Sequence, residues 1–151
     1  MKSYLLAITL ALGALTAAPA FAEANTIDVK KTNGCGCCLS WMEHLAENGF
    51  TPNGEDINGG LLARLKIDSG VPLRMTSCHT AFIDGYIIEG HVPAADIRRL
   101  LEDRPDAIGL AVPGMPFGSP GMGPEEDREA YDVFLITADG STEVFSTYAE
   151  N

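Results

Sequence analysis

Basic residues are scarce in this chain: ten lysines and arginines stand against 21 aspartates and glutamates, a formal net charge of −11. Nucleic-acid binding needs a basic face to neutralise phosphates, so that balance excludes it as a function. The acidic surface suits solubility and weakly concentrates cations, but charge alone names no partner. Long apolar runs are lacking as well. Past residue 22 nothing approaches the roughly 20 apolar residues of a membrane-crossing helix, so the mature chain is expected to have no membrane span. There is no internal repeat, low-complexity tract or linker. Cysteine is sparse too, at four residues, and three of them crowd into positions 35, 37 and 38. A disulfide framework spaces its cysteines so that bridges tie separate loops, and this spacing does not.

The N-terminus carries an address. Lys2 supplies a short positive start, an apolar stretch runs from Tyr4 to about Ala18, and Ala20-Phe21-Ala22 puts small residues before a cut at Glu23. Residues 1–22 therefore read as a cleavable secretory signal peptide. Its removal also takes away Lys2, making the mature chain one unit more acidic. Residues 23–151 are long enough for a single domain with its own core. The four cysteines then work in a compartment that oxidises unprotected thiols.

Patterning gives the order of elements. Thr26–Lys30 alternates and reads as a strand. A helix from about Cys37 to Glu47 follows, with Cys38, Trp41 and Leu45 on its inward stripe and Glu43 and Glu47 facing water. Residues 51–60, rich in Gly, Asn and Pro, have room for a strand that no pattern places. A short helix spans Leu61 to Ile67. Thr80–Ile83 and Tyr86–Glu89 read as two strands joined at Asp84-Gly85. Pro93 opens a helix with Ile97, Leu100 and Leu101 inward, closed near Pro105. Residues 109–124 hold five glycines and four prolines and are expected to lack regular structure. A hairpin, Tyr131–Thr137 with Thr142–Tyr148, ends the chain. The order matches a thioredoxin-like α/β plan, residues 23–108, followed by a C-terminal extension, residues 109–151, made of a Pro/Gly/Met loop and a β-hairpin. One departure is visible: five residues separate Pro72 from Cys78, where thioredoxins set the proline directly before a strand.

Three clusters carry chemistry. In Cys35-Gly36-Cys37-Cys38, the outer pair is a C-x-x-C that at a helix N-terminus can cycle as a redox disulfide. Cys37 is superfluous to that cycle, whereas three thiolates within one turn suit bridging of several soft metal ions. In Ser77-Cys78-His79-Thr80, the cysteine and histidine can share a metal only if they stand in the loop before the strand. His91 sits at a strand-to-helix junction, where imidazole can ligate a metal or close the junction by hydrogen bonding. His44, two turns from Cys37, is read as a solvated helix residue. Met115 and Met122 stand in a loop with no helical or strand face to bury them. Their thioethers are soft ligands that select Cu(I) over Zn(II), and they cannot form disulfides.

Gly34-Cys35-Gly36-Cys37-Cys38, Trp41 and Gly49-Phe50 form a first block that resembles the CopG-type periplasmic copper-resistance family. Ser77–Ala81, Asp84–Tyr86, Glu89–Pro93 and Gly109–Pro116 look like its later blocks. The resemblance covers nearly all of residues 23–151. It implies a thioredoxin-like domain with a C-terminal extension, a periplasmic location, and copper held at Cys35, Cys37, Cys38 and Cys78. It also implies a role in interconverting Cu(I) and Cu(II) beside periplasmic copper-efflux components. The residues themselves add His79, His91, Met115 and Met122 as metal ligands. Two rival functions stand beside copper binding: a thiol–disulfide oxidoreductase using Cys35 and Cys38, and a structural zinc-thiolate site, which would want closed tetrahedral geometry.

Overall fold

Ile27 and Val29 alternate with polar neighbours and set the buried face of β1 (Thr26–Lys31). In the computed structural model, which describes residues 25–151, this strand lies within a seven-stranded sheet. The signal peptide expected at residues 1–22 falls outside the described residues. Helix α1 (Gly36–Glu47) follows and buries Cys38, Trp41 and Leu45, the expected stripe. Asn48 and Gly49 end it by returning their N–H groups to carbonyls of its last turn. The Gly- and Asn-rich stretch beyond does contain a strand, β2 (Thr51–Asp56), parallel to β1 at the sheet edge. Apart from Pro52 it bears no apolar residue, so alternation had nothing to mark; backbone pairing holds it, with the Lys30–Glu55 and Lys31–Asp56 ion pairs and the Asn53–Asp28 hydrogen bond to β1.

Asn58 caps α2 (Gly59–Asp68) by accepting from the Gly60 N–H at 2.8 Å. Strands β3 (His79–Ile83) and β4 (Tyr86–Glu89) form an antiparallel hairpin whose turn residues, Asp84 and Gly85, both have positive φ. Helix α3 (Ala94–Asp103) buries Ala94, Asp96, Ile97 and Leu100. No peptide bond among the described residues is cis, so Pro72 follows a trans bond.

The expectation that residues 109–124 lack regular structure needs correction. Residues Ala107–Ala111 form β5, parallel to β4 and antiparallel to β6 (Tyr131–Thr137). Leu110, Ala111 and Val112 are all buried because the strand is central, so the segment shows no alternation. The following glycines and prolines masked it. Strand β7 (Thr142–Tyr148) completes the order β2-β1-β3-β4-β5-β6-β7. The last hairpin thus continues the sheet of the preceding elements. The result is a mixed α/β fold. One face packs Trp41, Leu45, Ile97 and Leu100 of α1 and α3 against Val29, Ile88, Leu110 and Val133. The other buries Val71, Met75, Ile87 and Ile136, with Lys66 of α2 reaching Thr80 and Glu89. No described helix is long and apolar enough to cross a membrane.

Candidate metal centre

Cys35 caps the N-terminus of α1 without a side-chain cap bond, and Cys37 and Cys38 occupy its first turn. Cys78 arrives just before β3, so the four sulfurs lie within 4.8 Å of one another. Cys35 and Cys38 are joined as a disulfide, leaving Cys37 and Cys78 free. Cys37 Sγ is 3.6 Å from Cys35 Sγ, and Cys78 Sγ is 3.6 Å from Cys38 Sγ and 3.9 Å from Cys37 Sγ. In this state two sulfurs are spent on each other. Two electrons and two protons would return them as thiols.

Cys78 belongs to a second set with His79 and His91, again within 4.8 Å. Its sulfur is 3.1 Å from His91 Nε2 and 3.3 Å from His79 Nδ1. His91 Nδ1 lies 2.8 Å from the Pro120 carbonyl, which can only accept. That contact fixes the tautomer: Nδ1 carries the proton and Nε2 turns its lone pair toward Cys78. Burial pushes the Cys78 thiol up to about 12, with the Cys37 charge adding to the effect. Burial likewise lowers His91, and it lowers His79 to about 3, helped by His91 and Lys66. Both imidazoles are therefore neutral at pH 7, the form that ligates metal. His79 packs its ring 4.3 Å from that of Trp41, and its Nε2 is buried without a hydrogen-bond partner.

Glycines shape the remainder. Gly90, with φ +74°, turns the chain between Glu89, which faces α2, and His91, which faces the cysteines; a Cβ there would lie 2.5 Å from that of Ser77. Gly121 lets the loop after β5 settle onto α1, where a Cβ would come within 2.6 Å of Trp41 N and 2.8 Å of the Cys37 carbonyl. Gly114 is held at the other end: its N–H donates to the Thr76 carbonyl, and its carbonyl accepts from Ser77 Oγ. Met122 adjoins Gly121 and is half-buried; Met115 adjoins Gly114 and is 53% exposed. Six of the eight residues singled out from sequence thus converge at one centre, and the two methionines stand on the loop that covers it.

Two things escaped sequence reasoning. His44 is not a solvated residue: it is half-buried, and its Nε2 accepts from the Ala94 N–H at 3.2 Å, tying α1 to the start of α3. Beneath the Cys78 loop, Lys66 Nζ donates to Glu89 Oε1 at 2.6 Å and to Thr80 Oγ1 at 2.8 Å. Thr80 donates on to Glu89 Oε2 at 2.7 Å, and the Ser77 backbone N–H donates to Oε1 at 2.7 Å. Lys66 stands four residues from Leu62, the other buried residue of α2, and Glu89 ends an otherwise apolar strand. Charges in those two positions were the available signal.

Soft sulfur and the neutral imidazole nitrogens that face it, His91 Nε2 and His79 Nδ1, fit a soft metal ion. Comparison with known proteins agrees. A family model described as a protein of unknown function, DUF411, matches residues 75–122. Two solved structures are similar along most of the chain. One, named copper resistance protein copG, form 1, is 45% identical, with a TM-score of 0.78 over 84% of this chain and 99% of that one. The other, form 2, is 46% identical, with a TM-score of 0.75 over 82% and 97%. No curated protein matches the chain.

Proposed function

The chain belongs to the CopG-type copper-resistance family, and from that premise we propose that it is a periplasmic protein that binds Cu(I) through clustered cysteine thiolates. One observation carries the reading: four cysteine sulfurs and two neutral imidazoles meet in two sets that share Cys78. Cys35, Cys37, Cys38 and Cys78 supply thiolates that can bridge several ions, His91 and His79 add nitrogen, and Met115 or Met122 closes the site from the covering loop. Thiolate and thioether favour Cu(I) over zinc. Copper is the cargo here, and it brings the one-electron change between Cu(I) and Cu(II). The chain's own part is to hold Cys35 and Cys38 as a dithiol when loaded, to present His91 Nε2 by donating its Nδ1–H to Pro120, and to exclude water under the loop. Residues 1–22 are read as the export signal on their sequence alone, and 23–151 as one thioredoxin-like domain, a reading that the element order and the continuous sheet support. Efflux components of the periplasm are the natural recipients of such cargo.

A second reading is favoured by the Cys35–Cys38 disulfide at the start of α1, where a helix N-terminus stabilises thiolate. It is thiol–disulfide exchange without metal. Anaerobic Cu(I) titration of the reduced protein separates the two. Copper binding predicts that Cys37→Ser lowers affinity at least about tenfold, since a bridging thiolate becomes a hard hydroxyl. Insulin reduction that persists in Cys37→Ser under strict copper removal would instead favour exchange.

A further inference from the structure

We propose that Glu89 is a positioning residue of the metal centre, which fixes the Cys78 sulfur by accepting the backbone N–H of Ser77. The inference rests on the copper reading above, and it concerns how one ligand is held.

Three donors reach the Glu89 carboxylate: Lys66 Nζ, Thr80 Oγ1 and the Ser77 N–H. Lys66 lies in α2 and Thr80 in β3, and both elements have backbone hydrogen bonds of their own. Ser77 does not. It sits between the short turn at Leu73–Met75 and the first residue of β3, past the end of the sheet ladder. The carboxylate stands where a neighbouring strand's carbonyl would otherwise be. Ser77 is then held on two further sides, at Oγ by the Gly114 carbonyl and at Cβ by the bare backbone of Gly90. Its successor, Cys78, has no comparable anchor. Its sulfur meets Ser77, Cys37, Cys38, His79 and His91, all but Ser77 members of the centre.

A carboxylate with zero exposure is a poor device for stability alone, because an apolar pair of similar volume often serves as well as a buried ion pair. What an apolar pair cannot do is accept the Ser77 N–H. Groups that orient metal ligands from behind commonly change metal affinity by about 10–100-fold when lost.

The test compares two double variants in the full mature chain. Glu89→Gln with Lys66→Met removes both charges but keeps a carbonyl oxygen for Ser77. Glu89→Leu with Lys66→Met removes the acceptor as well. Cu(I) affinity, read by competition with a chromophoric chelator, should fall about 10–100-fold in the leucine pair and return to within a few-fold of wild type in the glutamine pair. The ultraviolet Cu(I)–thiolate band should shift only in the leucine pair. Equal affinity and an unshifted band in a folded leucine pair, or equal loss in both pairs, overturns the proposal. Metal-free readouts decide it independently of copper. The Ser77 amide should exchange slowly in the wild-type apo protein, and Cys78 should alkylate faster in the leucine pair. A Ser77 amide that exchanges at an open-loop rate overturns the proposal even if the leucine pair does not fold. The copper reading fails by a different result, a wild type whose Cu(I) affinity is indifferent to Cys78→Ser.

Discussion

Strands β3 and β4 and the residues flanking them carry a polar set on each side of the sheet, and the two sets meet burial differently. Toward α2, Glu89 has a donor on each oxygen, and Lys66 and Thr80 complete one another within the chain. Toward α1, Cys78, His79 and His91 are left with unused capacity: two imidazole nitrogens, His79 Nδ1 and His91 Nε2, meet only the Cys78 sulfur, and that thiol is held protonated by its surroundings. A set that is satisfied internally can hold its neighbours in place, as Glu89 holds the Ser77 N–H. One with lone pairs left over is built to receive something, and soft donors say what. Glu89 and His91, two residues apart, face opposite sides because of the positive φ of Gly90: Glu89 holds the Ser77 N–H from behind, and His91 meets Cys78 directly.

The largest effect should come from breaking the completed set. Lys66→Met or Glu89→Leu alone leaves one buried charge unpaired, and urea denaturation should show a loss of about 3–5 kcal/mol. Changing both together should recover most of it. A double variant as unstable as either single one would mean that the pair is not a closed unit, and the contrast between the faces would fail.

Acid should sharpen the contrast by acting on the other set. His79 and His91 are held neutral by burial, so their folded pKa values lie below the ordinary 6.5. The unfolded chain then binds more protons, and stability, fully present above about pH 6.5, falls as pH drops toward the lowered values. Each histidine contributes a slope of at most ~1.4 kcal/mol per pH unit. Urea midpoints of the apo protein measured from pH 7.5 down to 4.5 should show this fall, and His79→Leu should flatten it by about one proton. A flat profile in the wild type would mean that these imidazoles are not held neutral.

Much of this was legible in the residues. The stripe Cys38-Trp41-Leu45, the Asp84-Gly85 turn and the last hairpin appear where alternation and turn chemistry put them. The convergence of the α1 cysteines with Cys78 was implied by the resemblance to the copper-resistance family, and the four sulfurs do meet. What was not legible depends on partners far along the chain. Strand β2 has no apolar side chain but Pro52 to betray it, and β5 is hidden because both its faces are covered. His44 reads as exposed until α3 is known to begin beside it. Likewise Lys66 and Glu89, 23 residues apart, each put a charge on an apolar stripe or strand, but only the fold shows that they are partners.

A smaller effect tests the cover over the sulfur–imidazole set. Gly121→Ala adds a methyl group within 2.6 Å of Trp41 N, at a φ of +84° that other residues rarely adopt. The strain should cost about 1–3 kcal/mol, or be relieved by lifting the loop. In the second case Cys37, under the Gly121 contact, should become more reactive to alkylating reagents. Unchanged stability together with unchanged Cys37 reactivity would show that the loop does not rest on α1.

The smallest change in stability, and the finest probe of the centre, comes from Met115 and Met122. Both flank the cover next to glycines that tie it down, so loss of either side chain should leave the body of the fold intact. Leucine at both positions keeps the apolar bulk and removes the sulfur, and such a swap usually costs less than about 1.5 kcal/mol. Ligation and packing then predict different things. If a thioether completes the copper site, Cu(I) should slow hydrogen exchange across residues 110–124 in the wild type, because binding stabilises the state that presents the ligands. Zn(II), with less preference for thioether, should protect them less. The double leucine variant should lose that protection and some Cu(I) affinity while its apo stability and cysteine reactivity hold. Wild-type affinity and loop protection in that variant would assign both methionines to packing, leaving the centre to the cysteines and histidines beneath the loop.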